Sequence, residues 1–413
     1  MKLVILGGGS LNTPAFFTAL SANDKLLEQV CLVDRSAEFV ERIGKFCQAI
    51  AQQRGLPVQV TWETDLGHAA TGADVVLNVL RVDGLTALEE DLRQLAVSGV
   101  VGHAATYPQA IRNLPATLEA ARVVERVAPS ALWVNFSNPV TFLCEALALH
   151  TRLRCVGICY HAFAMRGDLA AILGVDPVGV RVEFFGLNHL GWVTDVLVDG
   201  VSRMTQLVKV IRQRRDKKYN YWHVRPGMIP IDHAFCLYHK GDVYFNRQKG
   251  IRGSLVDVGL RLGLLRTDVD RERHKREALR QAVDEGQVSK LDPFQAQAPW
   301  YATCIVPFLR ALSSGQPREF VLTWNHAGES PTLPGLTAES AVVLQEGQIR
   351  RASLAPGLPE FAAEWVRQIR ASERLLIRAV LEQSRDLATM AWAVHPNVAS
   401  MRHAERLAFL YFG

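Results

Sequence analysis

The apolar run Leu3-Val4-Ile5-Leu6 stops at three successive glycines, Gly7-Gly8-Gly9, followed by Ser10, Leu11, Asn12, Thr13 and Pro14. An unbroken apolar run is the pattern of a parallel strand buried on both faces. Pro in a first turn marks a helix start, so the glycines occupy a strand-to-helix turn. A helix from Ala15 to about Leu20 then meets the turn signal Asn23-Asp24. The next strand, Val30-Cys31-Leu32-Val33, ends in Asp34-Arg35, about 25 residues beyond the glycines. A βαβ unit with this first turn restricts the chain to a parallel, doubly wound sheet, with its ligand at the carboxyl ends of the strands.

The turn does not spell GxGxxG, but its physics is the same. Glycines let the backbone approach a pyrophosphate, and N–H groups at a helix N-terminus bind its charge. Asp34 is placed to accept hydrogen bonds from the ribose hydroxyls of NAD, while Arg35 would suit the 2′-phosphate of NADP. The candidate NAD-binding residues are therefore Gly7, Gly9, Ser10, Leu11, Asn12, Asp34 and Arg35, with Arg81 and Asn135 at the ends of later strands. A glycine turn that is only structural is the alternative.

Composition narrows the class. Of 413 residues, 49% are hydrophobic and 21% charged, and 46 basic against 41 acidic residues leave a net charge of +5. Such a chain can bury a large core and is not intrinsically disordered. So small a net charge creates no general field for nucleic acid. No apolar run approaches the roughly 18 residues of a membrane span, and the start reads as no signal peptide. The seven cysteines include no CxxC pair, which favours a reducing compartment. A cytoplasmic enzyme is expected.

Further strands are predicted at Ala73–Leu80 and Ala131–Asn135, with helices between. Beyond about residue 150 strand-like runs (Val180–Phe185, Trp192–Val198, Glu319–Trp324, Ala341–Leu344) mix with long helical stretches such as Pro359–Asp386. The expectation is a Rossmann-type domain over 1–155 and an α+β domain over 156–413 that carries the substrate, the metal and the oligomer contacts. Arg212 to Lys218, with Tyr219, Tyr221 and Trp222 after it, reads as a basic–aromatic loop.

Asn135-Phe136-Ser137-Asn138-Pro139 follows an apolar strand, and Asn-Pro forces a turn above the sheet. Cys159 lies in Gly157-Ile158-Cys159-Tyr160-His161, and His189 in Gly186-Leu187-Asn188-His189-Leu190-Gly191. The two are able to share a divalent metal with open positions for substrate oxygens. On spacing alone a core cysteine and an ordinary histidine explain them equally.

The chain resembles the NAD-dependent family 4 glycoside hydrolases, related in fold to malate and lactate dehydrogenases. The likeness covers Val4 to Ser10, Arg81 with Gly84 and Asp91, Gly99 to Gly102, Ala110-Ile111-Arg112-Asn113-Leu114-Pro115, and Asn138-Pro139. It continues through Gly157-Ile158-Cys159, Gly186-Leu187-Asn188-His189, Asn325, Gly328, Leu333-Pro334 and His395-Pro396. It implies that Cys159 and His189 hold a metal, usually Mn²⁺, and that Asn138, Asn188 and His161 meet the sugar. The chemistry implied is transient oxidation at C3, loss of the C2 proton, departure of the aglycone, addition of water and re-reduction. A homodimer or homotetramer is implied as well. A sugar or hydroxy-acid dehydrogenase and a non-catalytic NAD-binding relative are the alternatives.

Departures mark a divergent member. His103-Ala104-Ala105-Thr106-Tyr107-Pro108 stands where the family carries Gln-Glu-Thr and a glycine-rich loop. Leu88 replaces an arginine associated with the phosphate of 6-phosphosugars, and Tyr160 replaces the usual Asp or Asn. The catalytic tyrosine's segment reads Pro230-Ile231-Asp232-His233, which puts His233 in the tyrosine's place. A histidine titrating near 6.5 suits removal of an acidified C–H proton, with Asp232 the alternative base and helix capping the bland explanation of His233. Tyr160 and His161 are candidates to protonate the leaving group. The losses point away from a 6-phosphoglycoside, yet Arg212, Arg214, Arg215, Lys217, Lys218, Arg247 and Lys249 offer charge for a uronide, sulfosugar or phosphosugar.

Overall fold

A computed structural model describes the chain except at residues 99, 101, 217–218, 220–222, 233, 239–272, 290, 326–334 and 353–357. His233, Lys217, Lys218, Tyr221, Trp222, Arg247, Lys249, Gly328, Leu333 and Pro334 thus lie outside the described residues. Six parallel strands run β1 (Lys2–Leu6), β2 (Gln29–Val33), β3 (Gln59–Glu63), β4 (Val75–Asn78), β5 (Leu132–Asn135) and β6 (Arg154–Gly157). Their spatial order is β3-β2-β1-β4-β5-β6, the dinucleotide-binding order. β4 and β5 are buried at every position and β1 at all but its first, which is why they read as unbroken apolar runs.

The chain then forms β7 (Val180–Leu187), β8 (Leu190–Val198), β9 (Val201–Ser202), β10 (Ile229–Asp232), β11 (Arg318–Asn325), β12 (Thr337–Gln345) and β13 (Gln348–Arg351). These strands are antiparallel and extend the same sheet. β11 meets β6 at Thr323 and Gly157, and β12, β7, β8 and β10 follow in turn. The fold is α/β, with a Rossmann-type parallel half continued by an α+β half.

The C-terminal helices Glu360–Glu382, Arg385–Val394 and Met401–Phe412 fold back over the parallel half. Leu376, Ile377, Trp392 and Leu407 join Val4, Leu114, Trp133 and Phe142 in one core. Each fully buried Leu or Ile contributes about 1.5–3 kcal/mol there.

Two expectations are corrected. The helical stretch 359–386 is two helices, because Gln383 turns left-handed (φ +50) and Ser384 caps a new helix by accepting Leu387 N–H at 3.2 Å. The basic run is not wholly a loop: Arg212 and Arg214 lie in the last turn of the helix Met204–Arg214. Arg212 is committed there, donating to Val224 O at 2.7 Å.

Candidate active site

The carboxyl ends of the six parallel strands share one edge, and the predicted site residues gather on it. At the glycine turn, Gly7 adopts φ +91, and a Cβ there would stand 3.2 Å from Leu80 N. Gly8 is closed in harder, its ideal Cβ lying 2.8 Å from Leu32 Cβ. The N–H groups of Gly7 and Gly8 both donate to Val33 O, at 2.8 and 2.9 Å. Gly9 N–H donates to Asp34 Oδ2 at 3.2 Å, and Ser36 N–H to Asp34 Oδ1 at 3.3 Å. Gly8 therefore serves close packing against β2 and Gly7 against the stretch after β4, and the donors of Gly7, Gly8 and Gly9 are used within the protein. Ser10 Oγ accepts Asn12 N–H at 3.2 Å, and Leu11 packs half-buried on the core. Among the described residues Asn12 Oδ1 is a buried oxygen without a partner. A cradle that a side chain would fill, a half-buried carboxylate at the end of β2 and an orphaned amide oxygen fit a dinucleotide. Arg35 and Arg81 lie exposed at the ends of β2 and the loop after β4.

Asparagines stitch the next loops together. Asn78 Nδ2 donates to Asn135 Oδ1 at 2.9 Å, and Asn135 Nδ2 to Ser137 O at 2.9 Å. Asn135 is completely buried, so it shapes the turn after β5 from behind. Sequence reasoning gave no role to Asn113. It accepts Val82 N–H at 3.1 Å and donates to Asn138 O at 2.7 Å, tying the loop after β4 to the Asn-Pro turn, whose peptide bond is cis. The neighbouring Arg112 grips the Asp91 carboxylate with two nitrogens. The signal was the short Arg112-Asn113 pair within a helix, readable only once the loops are placed.

Cys159 ends the stretch after β6 and stands at the N-cap of the helix Tyr160–Leu173. His189 sits at the tip of the β7–β8 hairpin, where Leu187 pairs with Leu190 and only Asn188 and His189 make the turn. His189 adopts φ +55, a conformation uncommon outside glycine and found most at functional sites and tight turns. Asn188 docks the tip: its Oδ1 accepts Val140 N–H at 3.2 Å and its N–H donates to Thr141 Oγ1 at 3.0 Å. This brings Cys159 Sγ within 3.6 Å of His189 Nε2. His161 lies against the His189 ring, centroids 5.4 Å apart.

Burial pushes the Cys159 thiol toward a higher pKa, but the charge and hydrogen bond of His189, the His161 backbone N–H and the Asn188 amide outweigh it and hold it below its ordinary value. A thiol poised toward thiolate beside an imidazole nitrogen is a donor pair for a borderline-soft divalent ion. With sulfur and nitrogen 3.6 Å apart, both would be able to reach one divalent ion, which would supply a Lewis acid. Among the described residues no group of three or more His, Cys, Asp or Glu converges on one point.

Tyr160, beside the cysteine, is 39% exposed. Asp232 ends β10, its backbone paired with Leu190 next to His189. Asn138 is half-buried on the same edge. Cys31, Cys47, Cys144, Cys155 and Cys304 are also free thiols, and Cys304 is near enough to feel the charge of Cys159. No helix of the described residues is long and apolar enough to cross a membrane.

Two family models match the chain: family 4 glycosyl hydrolase over residues 2–175, and the family 4 glycosyl hydrolase C-terminal domain over 184–398. A "Probable 6-phospho-beta-glucosidase" of Bacillus subtilis is 32% identical over 220 residues, covering 51% of this chain and 50% of that protein. The 6-phospho-alpha-glucosidase of Leptotrichia buccalis is 30% identical over 203 residues, covering 47% and 46%. The chain thus spans about half the length of the curated relatives it matches. The 6-phospho-beta glucosidase of Thermotoga maritima, solved with manganese, NAD⁺ and glucose-6-phosphate, superposes with a TM-score of 0.80 at 19% identity, covering 100% of this chain and 97% of that one. The malate dehydrogenase of Plasmodium falciparum follows at a TM-score of 0.56 and 11% identity, covering 92% and 99%. From end to end of its sheet, the chain belongs to family 4 of the glycosyl hydrolases.

Proposed function

We propose that the chain is an NAD-dependent glycoside hydrolase that cleaves an anionic hexoside by transient oxidation at C3, loss of the C2 proton, elimination of the aglycone, water addition and re-reduction. The observation that carries this reading is the meeting of Cys159 and His189, at 3.6 Å, on the sheet edge where the glycine turn also opens. When bound, NAD⁺ supplies hydride acceptance and return, and a divalent ion, manganese in the related Thermotoga enzyme, supplies a Lewis acid.

The chain's own residues do the rest. Residues 1–155 hold the cofactor, with Gly7, Gly9, Ser10, Leu11 and Asn12 around its phosphates, Asp34 on its ribose, and Arg35 and Arg81 at the rim. Asn135 supports from behind. Residues 156–413 hold the metal and sugar: Cys159 and His189 are the protein ligands, and Asn138, Asn188 and His161 orient the hydroxyls. His233, or Asp232 in its place, removes the C2 proton, and Tyr160 stands ready to protonate the leaving group. The substrate anion is a phosphate, carboxylate or sulfonate. The relatives are named for 6-phosphoglucosides of both anomers, in keeping with a route whose C–H steps lie away from C1. The assembly proposed is a homodimer or homotetramer, and the location cytoplasmic.

Incubation with catalytic NAD⁺, Mn²⁺ and aryl 6-phosphoglucosides, glucuronides or sulfoquinovosides in D₂O tests the reading. The expected product carries deuterium at C2 with no accumulation of NADH. Stoichiometric NADH would instead establish a dehydrogenase. Cys159→Ser should abolish turnover and Mn²⁺ binding together, and His233→Ala should abolish C2 exchange; exchange surviving it moves the base to Asp232.

A further inference from the structure

Behind the site lies a buried series of polar groups that the proposed reaction does not use. It begins at the backbone N–H of Asn397, which donates to His395 Nδ1 at 3.1 Å. His395 Nε2 stands 3.4 Å from His103 Nδ1, with ring planes within 8° and centroids 5.7 Å apart. That separation is the nitrogen–nitrogen distance plus a ring radius at each end, so the imidazoles meet edge to edge. His103 Nε2 faces Glu373 Oε1 at 3.4 Å, in ion-pair range but out of line for a full hydrogen bond. The other carboxylate oxygen of Glu373 takes Arg370 Nη1. Arg370 also donates to Thr337 O and, at 3.5 Å, to Thr141 O. His103, His395, Glu373 and Arg370 are each 1% exposed or less.

The bonding has a direction. An amide N–H only donates, so His395 Nδ1 is unprotonated and the neutral ring carries its proton on Nε2. That proton is aimed at His103 Nδ1, which accepts. Neutral His103 then carries its own proton on Nε2, the nitrogen nearest Glu373 but out of line with its Oε1. The relay meets the surroundings of the site at two of its members, His103 and Arg370. His103 belongs to the 3₁₀ turn Gly102–Thr106, which packs against the short helix Ala234–Tyr238 that follows Asp232 and position 233. Arg370 holds the carbonyl of Thr141, whose hydroxyl takes the Asn188 N–H beside His189.

We propose that His103, His395 and Glu373 are positioning residues, a one-directional buried relay that fixes the 102–106 turn against the base-bearing corner and, through Arg370, seats the metal-holding hairpin. Its effect on turnover rests on the glycosidase reading above; its proton arrangement does not. Glu373 is faced by Arg370 and Arg374 from its own helix, by Glu145 from the helix Val140–His150, by Tyr107 from the helix Tyr107–Val127 and by His103.

Long-range ¹⁵N–¹H NMR of the full chain with labelled histidine reads the tautomers directly, with His103→Gln and His395→Gln assigning the signals. Both rings should be neutral and Nε2-protonated above neutrality. An Nδ1-protonated ring overturns the relay. Glu373→Gln, which keeps the shape, should weaken Mn²⁺ binding roughly tenfold; unchanged Mn²⁺ affinity removes the link to the hairpin. If turnover is found, His103→Gln should lower kcat roughly ten- to a hundredfold with the KM for NAD⁺ unmoved, and shift the acid limb of the pH profile. An unchanged kcat and profile would make the cluster merely structural. Should no glycoside turn over at all, the tautomers and the Mn²⁺ affinity still decide.

Discussion

A methyl group added at Gly8 would lie 2.8 Å from Leu32 Cβ and 2.9 Å from Ile5 O, both fixed in buried strands. Neither neighbour is the far end of a flexible side chain, so β1 and β2 must part. Gly8→Ala should therefore cost about 1–3 kcal/mol, seen as a lower urea midpoint with an unchanged slope. A wild-type midpoint would show that the turn relaxes freely. Gly9 differs, because the atom its Cβ would meet, at 2.9 Å, is Asp34 Oδ2, the carboxylate proposed to hold ribose. Single residues also show where sequence is blind. Cys159 and His189 are 30 apart in the chain, and nothing in that interval says that they touch. Their contact is made by Asn188 seated on Val140 and Thr141, an interaction between segments about 50 residues apart.

The helix Glu360–Glu382 carries charge into the core and so carries a pH dependence. Burial lifts the Glu373 carboxyl from 4.5 to about 7, with Arg370 opposing and Glu145 adding to the rise. The folded chain thus holds this proton more tightly than the unfolded one. The resulting stability is complete below pH 4.5 and is lost as pH climbs through about 7. A displacement of that size is on the order of 3 kcal/mol. Glu145 runs the other way. Burial would raise it, but Arg370, the Thr337 N–H and Arg374 hold it below 4.5, so its contribution is present above that pH and fades below it. Glu373→Gln should flatten the fall in unfolding free energy between pH 4.5 and 7, measured by urea titration across that window. A slope equal to wild type would place the dependence on other groups. Elements were legible where burial is two-sided: β1, β2, β4 and β5 are apolar runs with clear ends. β3, Gln59–Glu63, lies at the sheet edge with exposed and polar positions, and β6 has only Arg-Cys-Val-Gly to signal it. The break at Gln383 escaped because glutamine carries no turn signal and the apolar period resumes after one capped reversal.

Taken as one body, the molecule joins a parallel half to an antiparallel half through the short contact of Thr323 with Gly157, and then doubles back. The C-terminal helices bury Leu376, Trp392 and Leu407 against β1, β5 and the helix Val140–His150. Unfolding the parallel half would strip those helices of their core, and unfolding the helices would expose it. The two halves are therefore expected to melt together. A ligand bound only to the folded state adds RT ln(1 + [L]/Kd) to its stability, about 2.7 kcal/mol at a hundredfold excess over Kd. NAD⁺ should consequently raise a single calorimetric transition as a whole. NADP⁺ should raise it less, because its 2′-phosphate meets the Asp34 carboxylate. Two transitions, with only the lower or only the upper one moved by NAD⁺, would show that the antiparallel half holds itself together without the parallel sheet.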